Sequence, residues 1–193
     1  MVEYLQSSDN RWVLLLGAVA VLLLVWLLYR HFFGQRGGLA HAIADISFDR
    51  IEQLIIPSAD EGEILVDYLL LTAKGLLILD VKDVQGTVFG GDKLQDWTVI
   101  TDERRFTFSN PQPALYDRIA AVRQIVREVP VAGRILFLDG ADFAKGVPEL
   151  VANIPDLVAE FGEPDKNVAK VKIEAFKPHW EQIHKEAISS GPL

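Results

Sequence analysis

The chain has no cysteine. That excludes disulfides, thiolate metal sites and a cysteine nucleophile, and it suits a reducing compartment. Positive charge is also in short supply: 19 basic residues stand against 27 acidic ones, a formal net charge of −8. A chain of that balance is not built as a general polyanion binder. Any contact with nucleic acid needs a local basic patch, a metal ion or both. No glycine-rich nucleotide loop and no Ser/His/Asp arrangement is present. His179 and His184 do not have zinc-ligand spacing, so they and Trp180 read as surface or packing residues. No internal repeat is visible, and no low-complexity segment outside one N-terminal apolar run.

That run, Trp12 to Tyr29, contains no charged residue. At ~1.5 Å rise per residue it covers most of a ~30 Å hydrocarbon core. Arg11 and Arg30 bracket it, and Trp12, Trp26 and Tyr29 lie near its ends, where amphipathic rings favour the interface. A cleaved signal peptide fits less well, because the run is long and no A-x-A-like site follows. The expectation is a single-pass anchor over residues 12–33, after a short tail of residues 1–11. Arg30 and Arg36, with His31, outweigh Arg11, which places the C-terminal side inside. This predicts an inner- or plasma-membrane protein whose C-terminal domain faces the cytoplasm. No GxxxG face follows Gly17, so the helix reads as an anchor only.

Residues 34–38 (G-Q-R-G-G) form a joint. Beyond it about 160 residues remain, enough for one domain with a core. Leu39 to Ile56 reads as helical, with a turn or second segment near Ser47 as N-cap. Two apolar strands, Leu65–Leu71 and Leu76–Lys82, follow with a tight turn at Ala73-Lys74-Gly75. Further strands are expected near Thr87–Phe89, Asp96–Thr101 and Phe106–Phe108. A helix from about Pro113 to Val129 has its apolar stripe at Leu115, Ile119, Val122 and Val126. Pro130–Gly133 ends it, and Arg134–Leu138 reads as a strand. Helical Glu149–Phe161 is expected to break at Ile154-Pro155, and helical Asn167–Ser190 at Lys177-Pro178. The tail from Ser189 is expected to fray. Residues 39–162 make the domain and 163–193 a C-terminal helical extension. The order of elements argues an α/β fold, a mixed sheet flanked by helices.

The chemistry concentrates in the hairpin. A buried apolar strand does not usually carry charge, yet Asp67 sits on one strand and Asp80-Val81-Lys82 ends the other. Asp80 and Lys82 point to the same face, so two carboxylates and a lysine converge at one end of a sheet. Asp67 and Asp80 suit a hard divalent cation such as Mg²⁺, with the Val81 carbonyl as a further ligand. Lys82 would then orient or activate a water, or stabilise charge on a phosphate. Alone, the D-x-K spacing is more simply an Asp–Lys pair that closes a strand end. The preceding apolar strand and the second carboxylate strengthen the metal reading. Arg104 and Arg105 at a turn tip, and Arg118, Arg123 and Arg127 on one helix, are candidate phosphate contacts. The net charge favours reading them as a solvated face.

The spacing resembles the PD-(D/E)xK nuclease superfamily, and more closely the nuclease-related domain (NERD) family. The resemblance runs over V-D-Y-L-L-L-T-A-K-G-L-L-I-L-D-V-K-D-V-Q-G-T-V-F-G, on to Trp97, through Phe108-Ser109-Asn110-Pro111 and to R-I-L-F-L. It covers roughly residues 38–160. It implies a restriction-endonuclease-like fold and hydrolysis of phosphodiester bonds in nucleic acid with Mg²⁺ or Mn²⁺. Asp67 and Asp80 would be the metal carboxylates and Lys82 the catalytic lysine. Gly86, Gly90 and Trp97 match structural positions, a turn and a core anchor. Two places depart from the pattern. The helix before the hairpin usually carries a Glu, and here G-G-L-A-H-A-I-A-D offers only His41 and Asp45. The glutamine expected a few residues after Asn110-Pro111 falls early, at Gln112, which precedes Tyr116 in a Q-x-x-x-Y arrangement seen in some superfamily nucleases. The alternative class is a degenerate domain that binds nucleic acid or protein at the membrane without catalysis.

Overall fold

The computed structural model of the chain describes residues 16–19, 21–23, 38–57, 62–163, 165–186 and 188–189. Two units separate, residues 1–38 and 39–193. In the first, residues 16–19 and 21–23 are helical. Most of the expected membrane span lies outside the described residues. Among the described residues no helix is long and apolar enough to cross a membrane.

A helix over residues 38–46 (α1) precedes the strands β1 (Ser47–Pro57), β2 (Glu63–Thr72), β3 (Gly75–Lys82), β4 (Gly86–Phe89), β5 (Asp96–Ile100) and β6 (Arg105–Ser109). Helix α2 (Pro111–Ile125) follows, then β7 (Val131–Phe137), β8 (Ala141–Phe143), β9 (Val151–Ala152), α3 (Ile154–Phe161), α4 (Lys166–Glu186) and β10 (Ile188–Ser189). The mixed sheet flanked by helices is present, but it is two sheets. One has six strands in the order β10-β1-β2-β3-β7-β9, and the other has four in the order β6-β5-β4-β8. β1, β2 and β3 are antiparallel neighbours, while β3 pairs with β7 and β7 with β9 in parallel.

The β2–β3 turn closes as its residues demand. Lys74 N–H donates to Thr72 Oγ1 at 3.1 Å, and that hydroxyl donates to the Gly75 carbonyl at 2.9 Å. Gly75 adopts φ +115°, which a side chain would strain. Both faces of the central strands are covered, as their near-continuous apolar runs require. Leu76 and Ile78 pack under α2 and α4 with Leu115, Val122, Trp180 and Ile183. Leu77 and Leu79 pack on the opposite face against α1 and α3, through Ile43, Ile46, Leu157 and Phe161.

Several local expectations are corrected. Ser47–Pro57 is a strand, not a helix; it pairs with β2 from Ser47↔Thr72 to Pro57↔Glu63. Ser47 does not cap a following helix, and its hydroxyl donates back to the Ile43 carbonyl at 2.6 Å. Long pairing to β2 outweighs the weak helical preference of F-D-R-I-E-Q-L. Helix α2 starts at Pro111, with Asn110 as N-cap accepting from Gln112 N–H, and ends at Ile125. Val131–Gly133 belongs to β7 rather than to a helix end. Pro155 does not break a helix but begins one, in the first turn where its missing N–H costs nothing. Residues 151–152, expected helical, form β9. Helix α4 runs on through Pro178. Ile173 before the proline and Trp180 and Ile183 after it are all buried in one cluster, and that packing holds the two halves in line. Ile188, expected in the helix, and Ser189, expected to begin the fraying tail, form a short strand that pairs with β1.

Candidate active site

β2 and β3 pair from Thr72↔Gly75 to Tyr68↔Leu79. The same register carried one step further sets Asp67 opposite Asp80. There the strands part. β3 continues beside β7 through Asp80↔Ile135 and Lys82↔Phe137, while β2 continues beside β1 to Glu63. The site lies in this fork.

Strand alternation assigns the fork its backbone groups. Leu76 N–H donates to the Pro130 carbonyl at 2.8 Å, and the Lys82 carbonyl accepts from Leu138 N–H at 3.1 Å, so even-numbered residues of β3 bond toward β7. Val81 therefore turns its N–H and carbonyl to the other side, into the fork. Its backbone hydrogen-bonds the Asp67 carboxylate.

Asp80 is 3% exposed, and each of its oxygens faces a cation. Lys82 Nζ lies 2.5 Å from Oδ1. Arg118 Nη1, from α2, lies 3.5 Å from Oδ2. The guanidinium is tethered at its other end, where Nε donates to the Leu65 carbonyl at 2.6 Å. Arg118 Nη1 is buried and makes no hydrogen bond. Asp67 is held above the ordinary carboxylate range, first by burial and then by the charge of Asp80. The Val81 hydrogen bond, Lys82 and Arg118 pull the other way.

Two hard oxygen donors on adjacent strands, with a backbone carbonyl between them, fit a Mg²⁺ or Mn²⁺ ion that keeps several waters and takes one or two protein carboxylates. The mutual repulsion recorded at Asp67 is what such an ion relieves. Among the described residues no three His, Cys, Asp or Glu side chains gather into a metal-binding group. His41 and Asp45 do not supply the third ligand. α1 covers the Leu77–Leu79 face, whereas Asp80 and Lys82 share the face of Leu76 and Ile78.

Gln112 sits at the start of α2, next to its N-cap Asn110. It is buried, and its Oε1 accepts from Leu150 N–H at 3.4 Å, which ties the start of α2 to the segment before β9. Tyr116 is exposed. Gly90 lies under the indole of buried Trp97; a Cβ there would sit 2.8 Å from Trp97 Cδ2. Trp97 stacks on Phe137 with centroids 6.2 Å apart. The Gly and Trp positions are thus structural, as expected.

The model of the nuclease-related domain family matches residues 40–138, just over half of the chain. This chain belongs to the nuclease-related domain family. The match begins in α1 and ends one residue after β7, so this nuclease-related domain contains Asp67, Asp80, Val81, Lys82, Gln112 and Arg118. α3, α4 and β10 lie beyond the match, yet α4 places Ile173, Trp180 and Ile183 in the same hydrophobic cluster as β1 and β2. No curated protein and no solved structure matches the chain significantly.

Arg118 is the residue that pattern reading missed, having been set on a solvated face. It follows Leu115 by three and precedes Val122 by four, both fully buried. That spacing marks the flank of the apolar stripe rather than its opposite side. Arg123 also turns inward, donating to the Val131 carbonyl at 2.9 Å.

Proposed function

We propose that this nuclease-related domain hydrolyses phosphodiester bonds in nucleic acid with Mg²⁺ or Mn²⁺, and that residues 12–33 anchor it in a membrane with the domain toward the cytoplasm. The observation that carries the catalytic reading is the opposition of Asp67 and Asp80 at a strand fork with Lys82 Nζ beside them. The charge-free run bracketed by Arg11 and Arg30 supports the anchor. Asp67, Asp80 and the Val81 carbonyl would hold the metal. When bound, the ion supplies a water of lowered pKa and a Lewis acid for the phosphate. Lys82 is only partly exposed, so its charge acts through little water on an oxyanion brought to Asp80. A polyanion would approach from the Lys82 and Arg118 side. An open cleft of about 800 Å³ past the end of β3 is lined by Asp83, Asp102, Glu103 and Asp142 against Arg104 alone, and it repels phosphate.

The test is cleavage of single-stranded DNA, duplex DNA and RNA by the full chain in detergent with Mn²⁺, with Lys82→Ala alongside. Cleavage lost in the variant supports the reading and names the substrate. Equal traces in both proteins, or none in either, defeat it. A second reading, a binding module without catalysis, is favoured by the pairing of buried Asp80 with two cations at once. It predicts nucleic-acid or protein binding that Mn²⁺ does not change.

A further inference from the structure

Four side chains meet at the fork, and their charges cancel: Asp67 and Asp80 against Lys82 and Arg118. The two cations are not equivalent. Lys82 makes a 2.5 Å hydrogen bond to Asp80, whereas Arg118 stands at 3.5 Å from the other oxygen with Nη1 unpartnered. A buried donor without an acceptor is a costly arrangement, and an ion pair without a hydrogen bond is the weaker kind. A divalent cation that uses Asp80 Oδ2 would need the place that the guanidinium now faces. Between the two resident cations, Arg118 is the one whose displacement breaks no hydrogen bond to the carboxylate. Its Nε tether to Leu65 would keep it beside the site after displacement.

We propose that Arg118 is the resident counter-cation of Asp80, competing with the divalent metal for Oδ2 and holding the metal affinity of the site down. The inference rests on the metal-binding reading above. It makes Arg118 a positioning residue whose removal improves metal binding, the reverse of what loss of a ligand or of a merely structural residue does.

The experiment is titration of the full-length protein in detergent with Mn²⁺, following the free-ion signal by electron paramagnetic resonance. Arg118→Gln is expected to bind Mn²⁺ about tenfold more tightly than the natural protein, because one like charge beside the ion is gone. Arg118→Met, which keeps the aliphatic stem, gives a second uncharged replacement with the same expected gain. Arg118→Lys, which keeps the charge, is expected to stay close to the natural affinity. Adding Asp80→Asn to Arg118→Gln is expected to remove the binding. Unchanged or weaker affinity in both uncharged variants, with binding intact in the natural protein, overturns this inference and leaves the metal reading standing. Binding that survives Asp80→Asn places the ion elsewhere and overturns it too. Absence of binding in the natural and uncharged variants alike defeats the metal reading and this inference together.

Discussion

Asp67 and Asp80 take the positions one step beyond the last pair of the β2–β3 ladder, Tyr68↔Leu79, and the charge of Asp80 acts on Asp67. Like charges directly across a strand pair destabilise it. Asp67 titrates above its ordinary value because burial and Asp80 both disfavour its charge. A carboxyl with a raised folded-state pKa contributes stability that is full below the unfolded value of 3.8 and is lost as pH rises through the folded value.

Asp67→Asn is therefore expected to stabilise the metal-free protein at pH 7 by roughly 0.2–1 kcal/mol, a small figure because the site is only half buried. The advantage should shrink as pH falls toward the ordinary carboxylate range and vanish below it. Thermal melts of both proteins from pH 3 to pH 8 in chelator check this. A variant that melts lower than the natural protein at pH 7 contradicts it.

Asp80 behaves in the opposite way. Replacing it with Ala takes from Lys82 and Arg118 the carboxylate that pairs with both, and leaves Asp67 as the fork's remaining anion. Loss of one partner from a buried pair costs about 3–5 kcal/mol when both are buried, and less here because the two cations reach solvent. A loss of about 1–3 kcal/mol is expected in urea unfolding. If Asp80→Ala matches the natural stability, the buried pair is not structural.

Gly90→Ala tests the contact under Trp97. The added methyl meets the indole at 2.8 Å, and the ring is held on its other sides by Phe108, Phe137 and Phe143. Overpacking of this kind costs about 1–3 kcal/mol. A shift in the urea midpoint together with an altered Trp97 fluorescence is the expected result.

Truncation after Gly162 removes α4. Ile173, Trp180 and Ile183 leave the core, at about 1.5–3 kcal/mol for each large side chain, which is comparable with the whole stability of an ordinary domain. Trp180 also gives up its Nε1 hydrogen bond to Asp49 at 2.9 Å. The truncated chain should lose protection in limited proteolysis. Survival of a protease-resistant fragment ending near Gly162 rejects the prediction.

Much of this fold was legible because its central strands are apolar on both faces and its turn carries Gly75 where φ +115° demands it. The carboxylates and Lys82 stood out as charges inside those strands. β1 reads as helix in the sequence because its pattern is irregular. A register shift falls at Phe48, Gln53 takes φ +53°, and Ile51, Leu54 and Ile56 still reach one core layer. Ile51 and Leu54 then fall at helical spacing. Gly133 read as the end of a helix, but it is the point where α2 lies on β7; a Cβ there would come within 2.8 Å of Leu115 and Ile119. β9 and β10 are too short to carry any period. Arg118 lies 38 positions from Asp80 in sequence, and only the packing of α2 against the strands brings them together.

The outermost strands of the six-stranded sheet, β10 and β9, are each two residues long. A long open edge is a template on which another copy adds its own strand. β10 pairs with β1 only at Leu54 and Ile55, and β9 with β7 only at Ile135 and Leu136, so each short strand covers just a small part of the long strand beside it. The exposed charges Asp49, Arg50 and Glu52 along the rest of β1 are therefore what would discourage another copy from adding its strand there.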